Sequence, residues 1–164
     1  MDQREQKRAT LQQSMAFLGA MASGIEEAVG EPANSITYLA GKKLGRKFSE
    51  QASPRTDVLE ALVEVRRVLS ANQCLWHFEP FQLSSRARII ESTPNGDEVM
   101  LVFRDCMIRQ SLFMFGHEQK GSLCNMMFGF FSGALESIMG RRSQLTIIHA
   151  GENACFKQLL IEPR

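Results

Sequence analysis

Residues 122–139 read SLCNMMFGFFSGALESIM. This segment is apolar along most of its length and carries Gly129 and Gly133 four positions apart, which puts both on one face of a helix. The pattern predicts a long buried helix. Because glycine inside a helix costs about 1 kcal/mol relative to alanine, something must offset both residues. Two explanations are open: close packing against the sheet or another helix, or room for a ligand against the bare backbone.

Three helical segments precede this region. Apolar residues recur at helical spacing, Pro32 lies just inside the second start, and Thr56 or Asp57 is the N-cap candidate of the third. The period then changes to short runs rich in aromatic and β-branched residues, separated by turn formers such as Pro94-Asn95-Gly96-Asp97. The predicted elements are helices over about 10–29, 32–48, 56–69, 108–115 and 122–139, and strands over 75–78, 86–92, 98–103, 145–149 and 155–161, with the second and third strands forming a hairpin.

The predicted fold class is α+β, with N-terminal helices packed on an antiparallel sheet in a single domain over residues 1–164. The chain has 164 residues, of which 44% are apolar and 23% charged, an ordinary globular composition. A net charge of +1 lacks the basic field that nonspecific nucleic-acid binding needs. No run has the length of a membrane span, and the N-terminus is polar and of mixed charge, so we expect a cytoplasmic protein without direct nucleic-acid contact.

Cysteine and histidine positions give the first indication of chemistry. In a reducing compartment, thiols are more often buried, metal-bound or reactive than paired in disulfides. Cys124 lies at the start of the long helix, and a predicted strand leads to His149 and then Cys155, which suggests a metal or redox site. Cys106 lies at a strand-to-helix turn between cationic residues, where it is either a reactive thiol or a buried spectator. Cys74, beside apolar residues, is predicted to be core.

Aromatic and thioether side chains predict an apolar pocket. The chain has nine methionines and eleven phenylalanines, many of them between residues 100 and 139, and such side chains form deformable linings as readily as they form core. No phosphate loop, diagnostic pair of catalytic carboxylates or nucleophile elbow is present, so an enzyme is not indicated. The predicted pocket residues are Phe113, Met114, Met127, Phe128 and Phe131, together with the Gly129 and Gly133 face.

The order Cys124-x4-Gly129-x3-Gly133, then Gly140, then a strand into His149-x-Gly151-x3-Cys155 resembles the 4-vinyl-reductase-type domain, also called the hydrocarbon-binding domain. The resemblance covers about residues 97–161. That family includes sensor modules of aromatic-compound-responsive activators and relatives of a bacteriochlorophyll-biosynthesis protein, and its fold is related to small TRAPP subunits. The resemblance implies an α+β domain that dimerises and encloses an apolar cavity.

In the sensor-type members of that family, zinc is held by a helix cysteine, a Glu-x2-Cys pair at the end of the next strand, and a cysteine after a short loop. Cys124 and Cys155 match the outer cysteines, His149 takes the place of the middle cysteine, and Thr146 stands at the glutamate position. The expected ligands are therefore Cys124, His149 and Cys155, with Cys106 as the preferred fourth ligand and His117 in reserve.

These features predict a small apolar-molecule-binding or sensing module with a zinc site, acting through a partner protein. The alternative is an enzyme or chaperone for a tetrapyrrole or other cofactor, or a redox or iron–sulfur switch that uses the same cysteines. A homodimer is expected, because one small sheet does not cover every apolar face of the N-terminal helices. Its predicted contact residues are Leu11, Met15, Leu18 and Met21.

Overall fold

The computed structural model describes residues 3–73, 76–104, 106, 108, 119–151 and 153–163, except the side chains of residues 4, 8 and 11. The helices are α1 (Gln3–Val29), α2 (Pro32–Phe48), α3 (Val58–Ala71) and α4 (Ser122–Met139), and the strands are β1 (His77–Phe81), β2 (Ile90–Thr93), β3 (Gly96–Arg104), β4 (Ser143–Ala150) and β5 (Ala154–Ile161). No helix within these residues has both the length and the apolarity to cross a membrane.

Local sequence signals set the helix ends. Pro32 stands in the first turn of α2, where a missing N–H leaves no hydrogen bond unmade. Asp57 caps α3, because its side chain accepts a hydrogen bond of 2.9 Å from the Glu60 backbone N–H. Gly140 ends α4 with a φ of 65°, a left-handed conformation that suits glycine.

The strands form one antiparallel sheet in the order β1-β3-β5-β4, and β2 also pairs with β3. The α+β prediction is confirmed. Alternate residues of β5 are buried, namely Cys155, Lys157, Leu159 and Ile161, so this face of the sheet meets the helices. Strand β4 pairs only with β5 among the described strands and therefore forms one edge of the sheet.

Some predicted boundaries differ from the structure. The first strand begins at His77 and continues to Phe81, and β2 begins at Ile90 rather than near Arg86. Arg86 instead forms ion pairs of 2.7 Å with Glu91 and 2.9 Å with Glu98, so its side chain is held by charge in a bend before the strand. The β2–β3 hairpin is present, and α4 has the predicted bounds. The helix predicted near residues 108–115 lies outside the described residues except for Ile108.

The helices α2 and α4 touch through their backbones. A Cβ atom added at Gly41 or Gly129 would lie 1.9 Å from a carbonyl oxygen of the facing helix, and one added at Gly45 or Gly133 would lie 2.1 Å away. These distances leave no space for any side chain. Close packing of α2 against α4 therefore offsets the loss of helix stability that Gly129 and Gly133 cause, and α2 fills the space beside them.

The N-terminal helix α1 is joined to the body at the start of α4. Oε1 of Glu26 accepts hydrogen bonds from the backbone N–H of Ser122, at 2.9 Å, and from its hydroxyl, at 2.5 Å. A carboxylate here satisfies helix-end donors and interacts favourably with the positive end of the helix dipole.

We expect Gly133→Ala to lower the free energy of unfolding by at least about 2 kcal/mol, because its Cβ would force α2 away from α4. Gly24→Ala is the matched control, since an added Cβ there meets nothing within 4 Å on an exposed helix, and it should gain up to about 1 kcal/mol. Urea denaturation measures both. Wild-type stability in Gly133→Ala would contradict a backbone contact between these helices.

Candidate functional site

Three cysteine thiols and one lysine line a small internal cavity. Cys106 follows β3, Cys124 lies in the first turn of α4, and Cys155 lies near the start of β5; all three are buried and none is in a disulfide. Lys157, two residues beyond Cys155 on the same face of β5, completes this group. The cavity has a volume of only about 10 Å³, about enough for a single water-sized sphere. These three cysteines are among the ligands predicted from the sequence, and the structure places them around one cavity.

Lys157 is the feature that sequence reasoning missed. It is 1% exposed, and its Nζ lies 4.1 Å from the ring centroid of Phe103, 5.1 Å from that of Phe128 and 3.6 Å from Sδ of Met127. Ring faces attract a cation, but they do not replace its lost hydration. The only signal in the sequence is the position of the lysine, on the inward-facing alternation of an otherwise apolar strand.

Burial favours the neutral forms of both partners in this cavity. It lowers the pKa of Lys157, against the opposing charges of the three cysteines, which raise it. It also raises the pKa of Cys124, while a backbone hydrogen bond with Lys120 and the charge of Lys157 act in the lowering direction. A thiolate formed here would be stabilised by the Lys157 ammonium, and the ammonium by the thiolate. The protonation states of this group are therefore mutually dependent.

The structure does not bring His149 to these thiols. His149 pairs with Phe156 across β4 and β5, whereas Ala150 pairs with Cys155. Directly paired residues share a face of the sheet and successive residues alternate, so His149 lies on the face opposite Cys155 and is exposed. Thr146, at the position of the family's glutamate, is also exposed. His117 lies outside the described residues.

Within the described part of the chain, no group of three or more His, Cys, Asp or Glu side chains is arranged to hold a metal ion. The three thiols nevertheless line one cavity, and sulfur donors are those that zinc and iron–sulfur clusters take. The zinc site remains a prediction, supported by donor chemistry and proximity and not by a completed coordination geometry.

The predicted pocket residues are separated by the fold. Met127 lines the thiol cavity, and Phe131 lies in the core with its ring centroid 4.9 Å from that of Phe78 and 5.2 Å from that of Phe103. Gly129 and Gly133 lie against α2. Phe128 lines a larger cleft. Phe113 and Met114 lie outside the described residues.

The cleft lies between α2, α4 and the edge strand β4, with a volume of about 540 Å³. Three apolar side chains, Phe128, Leu145 and Ile147, form part of its wall. Ile147 also lines the thiol cavity, so the two spaces share a wall residue. The polar and remaining lining residues are Tyr38, Lys42, Lys120, Asn125, Ser132, Arg142, Ser143, Gln144, Thr146 and Glu162. They come from distant parts of the chain, so no local motif identifies them.

A smaller cavity, of about 270 Å³, lies between α3 and β1. Arg66, Trp76, His77 and Arg104 are among its lining residues. The buried Nε1 of Trp76 has no hydrogen-bond partner within the described residues. Because it combines aromatic side chains with an unpaired buried donor, this cavity is a second candidate ligand site.

Neither a family model nor a curated protein matches the sequence. Among solved structures, the chain is similar to the crystal structure of the phenol-responsive sensory domain of the transcription activator PoxR with phenol. The TM-score is 0.64 at 16% sequence identity, and the match covers 90% of this chain and 74% of that chain. At this identity the likeness shows the fold alone. A small-molecule sensory-domain fold is consistent with the resemblance to 4-vinyl-reductase-type domains.

Proposed function

We propose that this chain is a small-molecule-binding sensory module whose ligand lies in the cleft between α2, α4 and β4. The observation that carries the proposal is the cleft itself. Its volume of about 540 Å³ falls within the range typical of small-molecule sites, and its wall combines a few apolar side chains with convergent polar groups. The fold likeness to a phenol-responsive domain supports the class of function, and it makes small aromatic molecules the first ligands to test.

Because the cleft and the thiol cavity share a wall, ligand binding in the cleft can change the thiol cavity. A ligand that moves Ile147 or Phe128 also changes the surroundings of Lys157, because Ile147 lines both spaces and the Phe128 ring lies 5.1 Å from Nζ. We propose that this change is read by a partner protein, since no catalytic motif occurs in the sequence. The two spaces then act as one unit of binding and response.

A screen of small aromatic compounds, beginning with phenol, should find ligands that raise Tm, because binding to the folded state adds stability of about 2.7 kcal/mol at a ligand concentration of 100 times Kd.

Tyr38→Ala should weaken the affinity of such a ligand roughly tenfold, because it removes an aromatic side chain from the wall of the cleft. Leu39→Ala is the control, since Leu39 is exposed and lies outside the cleft lining. Calorimetric titration checks both. Equal losses in the two variants, or no ligand for the wild type, would contradict the proposed site.

We further propose that zinc is held by Cys106, Cys124 and Cys155, with a fourth ligand outside this set. The donor types fit zinc, and zinc with three thiolates carries a net charge of about −1, which would balance a Lys157 ammonium. When bound, the metal would stabilise the fold around the first residues of α4 and β5, because structural zinc binding is coupled to folding.

Cys155→Ser should release the metal and lower Tm, whereas His149→Asn should retain it, because His149 lies on the opposite face of the sheet. Native mass spectrometry of anaerobically purified protein measures the metal content. Loss of metal in His149→Asn would show that His149 is a ligand. A wild-type protein without metal would refute the site. A visible absorption band would indicate the alternative cofactors, an iron–sulfur cluster or a tetrapyrrole.

We propose a homodimer formed through an exposed apolar stripe on α1. Phe17, Leu18 and Met21 are 66%, 52% and 49% exposed and lie within one helical turn of each other. Met15, from the predicted set, is buried within the chain, and the side chain of Leu11 is outside the described residues. Large apolar side chains grouped on one helix face favour association.

Met21→Glu should therefore convert the dimer to a monomer at micromolar concentration, since it places a charge within the apolar contact. Gln12→Glu adds the same charge on the opposite side of α1 and should leave the dimer intact. Light scattering during size-exclusion chromatography distinguishes the two. A monomeric wild type would contradict the dimer.

A further inference from the structure

The cleft contains a buried hydroxyl without a partner. Ser143 is 7% exposed and lines the cleft at the start of β4, and its Oγ makes no hydrogen bond within the described structure. The neighbouring hydroxyl of Ser132 is already used, because it donates a hydrogen bond of 2.8 Å to the Ser143 carbonyl. The oxygen itself is closed to solvent, so a ligand acceptor gains this unpaired donor when the Ser143 side chain turns into the cleft.

The charges around the cleft do not cancel. Lys42 Nζ lies 3.2 Å from Oε2 of Glu136, but Arg46 shares the same oxygen at 2.5 Å, so these three side chains carry one surplus positive charge. Arg142 and Glu162 form a neutral pair at 2.8 Å. Lys120 forms no ion pair with any described residue. Among the described residues, the cleft therefore presents two cationic side chains: Lys120, which has no ion pair there, and Lys42, whose carboxylate partner Glu136 is shared with Arg46.

Apolar surface adjoins these cations. Phe128, Leu145 and Ile147 line the same space, and Leu145 and Phe128 are almost fully buried. A free inorganic anion would make no contact with these apolar side chains, and a neutral hydrocarbon would leave the charges and the Ser143 hydroxyl without a ligand partner. A molecule that satisfies both features carries one anionic oxygen-bearing group on a compact apolar body.

We propose that the cleft binds a small carboxylate-bearing amphiphile, an inference that rests on the proposed function and names its ligand class. The carboxylate is bound by Lys42 and Lys120, and it accepts a hydrogen bond from Oγ of Ser143 when that side chain turns into the cleft. The apolar body contacts Phe128, Leu145 and Ile147. Charge-assisted hydrogen bonds to a carboxylate are roughly twice as strong as neutral ones, so the anionic group determines selectivity.

Calorimetric titration of the full chain with two isosteric pairs, benzoate with benzamide and octanoate with octanamide, tests this directly. The acids should bind at least about tenfold more tightly than the amides, and their advantage should shrink as salt is raised. Similar affinities for acid and amide would overturn the carboxylate inference while leaving the cleft as a ligand site. No binding of these probes or of the aromatic panel would remove the proposed function as well.

Two variants locate the effect. Lys42→Gln should weaken benzoate roughly tenfold without changing benzamide, while Lys43→Gln, at an exposed neighbour outside the cleft lining, should change neither. Arg46 still pairs with Glu136 in Lys42→Gln, so the fold should be retained.

Ser143→Ala removes a hydroxyl that has no partner in the free protein, so this variant should keep or raise Tm and still bind benzoate more weakly. Unchanged benzoate affinity in both Lys42→Gln and Ser143→Ala would overturn the assignment.

Discussion

The backbone contact between α2 and α4 is the constraint on which the rest of the structure depends. The carbonyl oxygens of Tyr38 and Lys42 lie against Gly129 and Gly133, and the side chains of the same two α2 residues line the cleft. The contact that fixes the two backbones therefore also fixes one wall of the cleft relative to α4 and the edge strand β4. A larger residue at either glycine would push that wall outward, because the helices have no space between them. The glycines thus affect the cleft indirectly, through the position of α2.

The second constraint is the buried amine of Lys157. An amine that is 1% exposed, next to two aromatic rings and three thiols, loses hydration that these neighbours only partly replace. Burial lowers the pKa of Lys157, and the charges of the three cysteines act in the opposite direction. The cavity that holds this amine adjoins the cleft, because Ile147 lines both spaces and the Phe128 ring, which lines the cleft, lies 5.1 Å from Nζ.

Much of the fold followed from local patterns. The bounds of α4, the Asp57 cap and the β2–β3 hairpin are local features, and periodicity and turn residues were enough to predict them. Strand register is not local. A bulge at Ile148 and the pairing of His149 with Phe156 decide which face the histidine occupies, and no property of the segment itself specifies this. Sequence patterns did not reveal the cleft, because its residues come from α2, α4, β4 and the segments beside them. Two glycines four residues apart in a helix also give the same sequence pattern whether they pack against another helix or leave room for a ligand.

Mapping the binding site by NMR tests most directly whether a small molecule binds between α2, α4 and β4. In a titration of ¹⁵N-labelled protein with benzoate, the largest amide shift changes should cluster at residues 38–42, 125–132 and 143–147, which surround the cleft. Changes clustered instead around Arg66, Trp76 and Arg104 would place the ligand in the cavity between α3 and β1 and contradict a site in the cleft.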